Sequence, residues 1–211
     1  MLLIGKLDSP YVRRVAISLQ LLGLRFEHQS LSVFRTFTQF QQFNPVVKAP
    51  TLVCDDGGML MDSSLIMEFA EAVGRPRSLM PANLHELQRA LHIIGLALAA
   101  SEKSVQIAFE RGLRPPEKQH EPWVARITGQ LLAAYGLLEE EVARRPLAVT
   151  SSTITQAGVS TAVAWQFTQQ MLPEVVSAAN YPSLAAFSTK AEALPEFRAA
   201  PHGDSTFRYD E

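Results

Sequence analysis

Residues 7–23 read LDSPYVRRVAISLQLLG, and this stretch predicts the first helix of the chain. Ser9 is a favourable N-cap, and Pro10 suits the first helical position because an N–H there would have no partner. Apolar residues then recur at helical spacing, and Gly23 predicts the helix end. A hydroxyl at such a first turn lies beside unpaired backbone N–H groups and the positive end of the helix dipole. The stretch therefore predicts either a place where an anion is stabilised or a serine that only caps its helix.

Length and composition are those of a globular chain with one large domain or two small ones. The 211 residues are 47% hydrophobic with a formal net charge of −2, which gives no basic surface for nucleic acid or an anionic membrane. No apolar run approaches the ~20 residues of a membrane-spanning helix, and the N-terminus shows no signal-peptide pattern. The single cysteine, Cys54, excludes an internal disulfide and predicts a buried structural thiol in a reducing cytoplasm.

The elements predicted before residue 75 follow the order β-α-β-α-β-β-α. The first two strands flank a helix, so we expect them to be parallel. The residues between 55 and 58, DDGG, predict a hairpin turn between the third and fourth strands. Asp62 and Ser63 then begin a further helix directly after a strand. A carboxylate and a hydroxyl at this second helix N-terminus predict either a small-ligand site or simple capping.

A linker with two prolines at residues 75–81 precedes a part of the chain in which we predict no strand and about five helices. The first of these helices runs to about Arg111 and carries an apolar seam in near-heptad spacing, which is typical of a helix that packs on another helix or on a partner subunit. The seam comprises Leu84, Leu87, Leu91, Ile94, Leu98 and Val105. The sequence thus predicts an α/β domain over residues 1–76 and an all-α domain over residues 83–211.

Four motifs, in this order and at these spacings, resemble the glutathione transferase superfamily over essentially the whole chain. They are SPYVRRV at 9–15, NPVVKAPTL at 44–52, DSSLIME at 62–68 and LMP at 79–81. The resemblance implies a thioredoxin-like, glutathione-binding first domain followed by the helical domain of that family. It is to the serine-type, bacterial-like branch, and not to members that use tyrosine or cysteine at the first helix.

The resemblance implies that Ser9 hydrogen-bonds the sulfur of glutathione and favours its thiolate. A thiol has a pKa of about 8.5, and lowering it by ~2 units takes about 2.7 kcal/mol. One hydrogen bond to an ion contributes roughly 1.5–3 kcal/mol and a helix N-terminus about 0.3–2 kcal/mol, so no general base is needed. Asp8 places a negative charge beside this thiolate and opposes the shift, and Tyr11 is a rival hydroxyl.

The remaining implied site residues would hold the rest of glutathione, a tripeptide with two carboxylates. Ala49, before a family-typical cis-Pro50, would pair its backbone with the cysteinyl part. Asp62 and Ser63 would hold the γ-glutamyl amino and carboxylate groups, and Lys48 would approach the glycyl carboxylate. No metal is expected, because histidine and cysteine form no cluster with ligand spacing.

The function implied is a glutathione transferase that conjugates glutathione, its co-substrate, to a small and apolar electrophile. The electrophile site is expected between the domains, lined by the first helix and by residues 98–109. One alternative is a glutathione-dependent cis–trans isomerase of a maleyl-type diacid, for which Arg13, Arg14 and Arg111 are the available basic residues. Another is a non-catalytic binding or interaction protein of the same fold, favoured by Val47 where many members have glycine.

A homodimer is also expected, because the apolar seam of the long helix and the small first domain both need cover. Neither nucleic acid nor a membrane is expected as a partner.

Overall fold

The structure is a computed structural model that describes residues 1–209. Its contacts divide the chain into two compact units. Unit 1 comprises residues 1–80, residues 150–152 and the chain from residue 193 onward, whereas unit 2 comprises residues 81–149 and 153–192. These units differ from the predicted division into 1–76 and 83–211, because residues 193–209 belong to unit 1.

A four-stranded sheet forms the centre of unit 1, with strand order β2-β1-β3-β4. The strands are β1 (Leu2–Ile4), β2 (Glu27–Gln29), β3 (Thr51–Val53) and β4 (Met59–Met61). β1 runs parallel to β2, with Leu3 opposite His28. β3 is antiparallel to both β1 and β4. The predicted parallel pair and the predicted hairpin are therefore confirmed, and β2 lies at one edge of the sheet.

The helices of unit 1 are α1 (Pro10–Leu21), α2 (Phe37–Phe43), α3 (Ser63–Val73) and the short α8 (Pro195–Ala199). The order of elements as far as α3 matches the predicted order. α1 contacts β1, α3 and α8, so almost every residue from Val12 to Leu19 is buried, including Arg13 and Arg14. Its periodicity predicted one apolar face, whereas the folded unit covers the helix on several sides.

Unit 2 consists of the helices α4 (Leu84–Leu113), α5 (Glu121–Arg144), α6 (Gln156–Met171) and α7 (Pro182–Glu192). α4 packs against α5 and α6, and α6 packs against α7. The core around α6 holds the buried Tyr135, whose hydroxyl donates to the Ala164 carbonyl oxygen at 2.9 Å. Burial raises the pKa of this phenol, so it stays protonated. Within residues 1–209, no helix is both long and apolar enough to span a membrane.

The face of α4 that packs in unit 2 includes one residue of the predicted seam, Ile94. The buried residues of this face are mostly small: Ala90, Ile93, Ile94, Ala97, Ala100, Ser101, Ser104, Ile107 and Glu110. In the seam, Leu84 is 81% exposed and Leu91 is 53% exposed. Small residues allow the neighbouring helices to approach α4 closely, and the larger leucines at the start of the helix stay on the surface.

Candidate active site

Ser9 ends the loop between β1 and α1 and is the N-cap of α1, with φ −74° and ψ 125°. Its Oγ accepts from the backbone N–H of Val12 at 3.5 Å, which is at the long limit of a hydrogen bond. Ser9 is half-buried, and among the described residues no acceptor lies within reach of its own O–H. The hydroxyl can therefore donate to an anion that enters this corner, where the N-terminus of α1 adds a favourable potential.

The negative charge of Asp8 beside this corner is offset by Lys6. Lys6 Nζ lies 2.6 Å from Asp8 Oδ2 and also pairs with Asp204. Burial on its own lowers the pKa of Lys6, but the hydrogen bonds to Asp204 and Asp8 outweigh it and raise the pKa. Lys6 thus stays charged. Its positive charge weakens the repulsion that we expected between Asp8 and a thiolate at Ser9.

Gly5 brings the loop before Ser9 close to two other segments. Its φ is +136°, and a Cβ built on it would lie 2.6 Å from Val12 Cγ2 and 3.2 Å from Ala49 Cβ. Real side chains do not tolerate the first of these distances, so only glycine permits this backbone to pack here. The first turn of α1 and the segment before Pro50 are therefore fixed against the same residue.

The loop of residues 44–51 is held from inside by two buried polar side chains. Asn44 Nδ2 donates to Thr51 Oγ1 at 2.8 Å, and Asn44 Oδ1 accepts from the N–H of Val46 at 2.9 Å. Thr51 Oγ1 in turn donates to the Lys48 carbonyl oxygen at 2.8 Å. Because both side chains are buried and paired, they fix the course of the backbone through this loop.

The end of the same loop contains the cis peptide bond Ala49–Pro50. Val47, two residues earlier, has φ +52°, in the left-handed region that branched side chains rarely adopt. Its side chain is half-buried and packs against the cluster of Ile4, Leu31 and Phe40. Val47 therefore occupies a conformation suited to glycine, and its apolar contacts offset part of the cost.

Asp62 begins the second predicted corner, at the N-terminus of α3, with φ +72°. Its Oδ1 accepts from the N–H of Ser64 at 2.9 Å, and its Oδ2 lies 3.5 Å from Lys48 Nζ. Lys48 and Asp62 were predicted from separate motifs, and the structure brings them together. Both are about half exposed, so solvent screens the pair and a ligand that carries both charges can exchange with it.

Arg14 lies behind this corner and was not among the predicted glutathione-binding residues. It is 3% exposed, and its Nη1 donates to Ser63 Oγ at 3.2 Å and to Ser64 Oγ at 3.3 Å. Its Nε has no hydrogen-bond partner, and no carboxylate of the described residues lies within ion-pair distance. Burial lowers the pKa of Arg14 to about 10, against the nearby charge of Asp62, so it remains a cation at neutral pH.

A buried cation at a helix N-terminus makes the Ser63 corner electropositive. The arrangement favours a carboxylate there, while the Asp62 side chain beside it favours an ammonium group. The chemistry therefore fits an α-amino acid group, which carries both charges. The signal in the sequence was an arginine within an otherwise apolar stretch of helix.

Cys54 is half-buried, so the prediction of a buried thiol was wrong in degree. Burial, together with the charges of Asp56 and Asp55, raises its pKa. A raised pKa keeps the thiol protonated and poorly nucleophilic. Within residues 1–209, histidine, cysteine and acidic side chains do not gather in a set of three that could hold a metal ion.

The sequence and the fold are similar to those of known proteins. The family model of the glutathione S-transferase N-terminal domain matches residues 3–75. The uncharacterised GST-like protein YibF of Escherichia coli (strain K12) is 25% identical over 173 residues, which cover 82% of this chain and 85% of YibF. A glutathione transferase family member from Pseudomonas fluorescens Pf-5, solved with bound glutathione, is 27% identical with a TM-score of 0.81, over 94% of this chain and 97% of its own.

A second solved structure covers this chain fully. The glutathione S-transferase from Methylobacterium radiotolerans JCM 2831, in complex with glutathione sulfonate, is 25% identical with a TM-score of 0.86, over 100% of this chain and 98% of its own. Residues 3–75 thus match the N-terminal domain of the glutathione transferase superfamily, and the chain as a whole resembles solved members of that superfamily, as its four motifs predicted. It has the thioredoxin-like N-terminal fold of that superfamily and a helical region after it.

Proposed function

We propose that this protein is a serine-type glutathione transferase that conjugates glutathione to a small apolar electrophile. The proposal depends on one observation above all, the Ser9 hydroxyl at the N-terminus of α1 with its O–H available to a ligand. Solved relatives of similar length bind glutathione or glutathione sulfonate, which supports glutathione as the co-substrate.

The proposed roles follow from the geometry of unit 1. Ser9 donates to the glutathione sulfur and stabilises the thiolate, and the backbone of Ala49 before cis-Pro50 pairs with the cysteinyl part. The thiol proton leaves to solvent, and the sulfur lone pair forms the new S–C bond to the electrophile. A leaving group departs with the electron pair of its bond, or, in an addition, the carbanion that forms takes a proton from water.

The second corner holds the γ-glutamyl group in this proposal. Asp62 binds the ammonium, while Ser63 and the N-terminus of α3 bind the carboxylate, with Arg14 as the buried positive charge behind them. Lys48 exchanges its pairing with Asp62 for the glycyl carboxylate. Each ligand charge thus meets a protein group of opposite sign.

Glutathione binding is the direct test of the proposal. We expect the protein to be retained on immobilised glutathione and its Tm to rise in millimolar glutathione, with turnover of at least one member of a panel of apolar electrophiles. S-methylglutathione, which lacks the thiol, should compete for the column but support no turnover. Binding without turnover of any electrophile contradicts the enzyme and favours the non-catalytic alternative, and absence of binding contradicts both glutathione roles.

The electrophile itself is proposed to bind a pocket of about 380 Å³ in unit 2, a volume typical of small-molecule sites. Its lining residues are Gln106, Phe109, Glu110, Leu113, Arg114 and Trp123. Phe109 and Trp123 are both partly exposed and supply aromatic walls, and Phe109 falls in the predicted region 98–109. This lining suits a flat, apolar ring.

Replacing Phe109 by alanine is expected to raise KM for an aromatic electrophile by about fivefold, since a ring–ring contact contributes about 0.5–1.5 kcal/mol. KM for glutathione should change little. Leu137→Ala is the matched control, because Leu137 is an exposed apolar residue of α5 outside this pocket and outside the proposed dimer surface. Steady-state kinetics with each substrate varied in turn measures both constants. An equal effect of the two variants on KM for the electrophile would contradict its binding in this pocket.

The isomerase alternative calls for arginine side chains close to the thiol. Arg13 donates from Nε to the Ala200 carbonyl oxygen at 2.7 Å, and Arg14 donates to Ser63 and Ser64. Arg111 forms an ion pair with Glu121. Because Arg13 and Arg111 have partners of their own and Arg14 lies behind the Ser63 corner, the arrangement favours conjugation over isomerisation of a diacid.

We also propose a cytoplasmic homodimer, as the sequence predicts. Each unit carries large apolar side chains on its surface: Met59, Leu65 and Val73 in unit 1, and Leu84 and Leu91 in unit 2. Exposed apolar residues in this number are typical of a surface that a partner covers. Light scattering at micromolar concentration should give the mass of two chains, and the mass of one chain would contradict the dimer.

A further inference from the structure

The C-terminal segment, residues 204–209, packs along β2, the strand at the edge of the sheet. The Phe207 ring stacks on Phe26 with centroids 4.7 Å apart. The Tyr209 hydroxyl accepts from the N–H of Phe26 and donates to the Leu24 carbonyl oxygen, both at 3.2 Å. These contacts cover an edge that would otherwise be open to pairing with another chain.

His28, on β2, joins this segment to the loop that precedes Ser9. Its Nδ1 accepts from the backbone N–H of Phe207 at 2.9 Å, and its Nε2 lies 2.7 Å from the Gly5 carbonyl oxygen. Since Nδ1 accepts and a carbonyl can only accept, the two partners together assign the neutral tautomer with hydrogen on Nε2. The neutral ring thus makes two buried hydrogen bonds at once.

The contacts continue from Gly5 to the proposed catalytic hydroxyl. Gly5 packs directly on Val12, and the N–H of Val12 is the donor to Ser9 Oγ. Asp204 of the C-terminal segment also pairs with Lys6 in the same loop. The loop is therefore held to the C-terminal segment at two points, one buried and one exposed.

We propose that neutral His28 is a positioning residue for Ser9. His28 links the C-terminal segment to the loop of residues 5–9, and protonation of its Nδ1 releases this link. The proton removes the acceptor for the N–H of Phe207 and places a donor against a donor. Activity would then fall in mild acid through a change of conformation, in addition to protonation of the substrate thiol. The inference rests on the proposed role of Ser9.

The surroundings of His28 agree with a neutral ring at physiological pH. Burial lowers its pKa from the ordinary value of 6.5, and the hydrogen bond to Gly5 opposes this only in part. β1, the neighbouring strand, carries no charged residue, and α1 adds Arg13 and Arg14 with partners of their own. The charged and titratable residues on its own strand, the loop and residues 202–209 are Lys6, Asp8, Glu27, His202, Asp204, Arg208 and Tyr209.

Hydrogen exchange at backbone amides tests the link without reference to activity. Between about pH 7.5 and a pH below the lowered pKa of His28, after correction for intrinsic rates, protection of the Phe207 amide should fall at least tenfold in the unmodified protein. His28→Asn keeps an acceptor near the position of Nδ1 and should retain this protection at both pH values. His28→Gln keeps a donor near Nε2 and should lose it at both.

His202→Gln is the matched control, because His202 is the other histidine of this region and its replacement removes an imidazole without changing either partner of His28. It should respond to pH as the unmodified protein does. A pH-independent Phe207 amide in the unmodified protein, or a response that His202→Gln abolishes, overturns the proposal. If both His28 variants fail to fold, the pH dependence of exchange at the Phe207 amide in the unmodified protein and in His202→Gln still tests the proposed link.

Turnover tests the effect on Ser9. The ratio of kcat/KM for glutathione between the unmodified protein and His28→Gln cancels the ionisation of free glutathione, which both share. We expect this ratio to fall from about tenfold at about pH 7.5 towards one as the pH drops below the lowered pKa of His28. If this ratio does not change with pH, His28 does not position Ser9, even if hydrogen exchange shows that His28 holds the C-terminal segment. Absence of turnover in every variant contradicts the proposed function, and exchange then decides the link alone.

Discussion

Replacing Ser9 by alanine is expected to lower turnover at about pH 7 by about 10- to 100-fold, because a hydrogen bond to an ion contributes about 1.5–3 kcal/mol. The pKa of bound glutathione should rise by about one to two units, since its thiolate loses a donor. KM for glutathione should change by less than about threefold, because both corners still hold the rest of the tripeptide. The pH dependence of kcat with an aryl halide measures the shift, and turnover should recover in part at alkaline pH.

Tyr11→Phe is the control for this experiment. Tyr11 is the other hydroxyl within the first turn of α1, and its replacement should leave kcat unchanged. If Tyr11→Phe lowers turnover and Ser9→Ala does not, the sulfur partner has been assigned to the wrong residue. If both variants are as active as the unmodified protein, neither the Ser9 nor the Tyr11 hydroxyl takes part in the mechanism.

Gly5→Ala is expected to lower the free energy of unfolding by on the order of 3 kcal/mol. Two costs combine in this variant. Alanine rarely adopts φ +136°, and its Cβ would lie 2.6 Å from Val12 Cγ2, on a short side chain that cannot swing away. Turnover should fall as well, because any shift that relieves this overlap moves the first turn of α1 and hence Ser9. Urea denaturation measures the stability.

Gly23→Ala separates the two costs in that prediction. Gly23 has φ +72°, but a Cβ built on it meets nothing within 4 Å. Its replacement should therefore lower the free energy of unfolding by about 1 kcal/mol, through the unfavourable φ alone, and leave turnover unchanged. Equal losses in the two variants would show that close packing at Gly5 contributes nothing.

The sequence predicted the sheet, its parallel pair and the two helix corners because these depend on local signals. Ser9-Pro10 and Asp62-Ser63 are capping signals that a helix N-terminus requires, and they stand at the N-termini of α1 and α3. The pairing of Lys48 with Asp62 was not predicted, because it depends on how the loop of residues 44–51 folds back towards α3. Asn44 and Thr51, which fix that loop, read in the sequence only as polar residues beside a proline.

The burial of Arg14 and the exposure of the leucines at the start of α4 could not be predicted, for a shared reason. Helical periodicity identifies which residues share a face, but not which faces the rest of the molecule covers. α1 is covered on several sides, so Arg14 is buried, while Leu84 and Leu91 of α4 lie outside the packed face of unit 2. His28 carried no motif at all, because its two partners lie 23 and 179 residues away.

Unit 1 is assembled from segments that precede and follow the helical unit, and this has a consequence for its synthesis. β1 and α1 are translated before the helical unit, but the carbonyl groups of Phe197 and Ala200 that accept from Arg13 are translated after it. Domains usually fold as they emerge, N-terminal first. Here the N-terminal sheet can form early, yet β2 and Arg13 lack these later contacts until the residues after α8 are translated, so the helical unit is complete before the unit that precedes it.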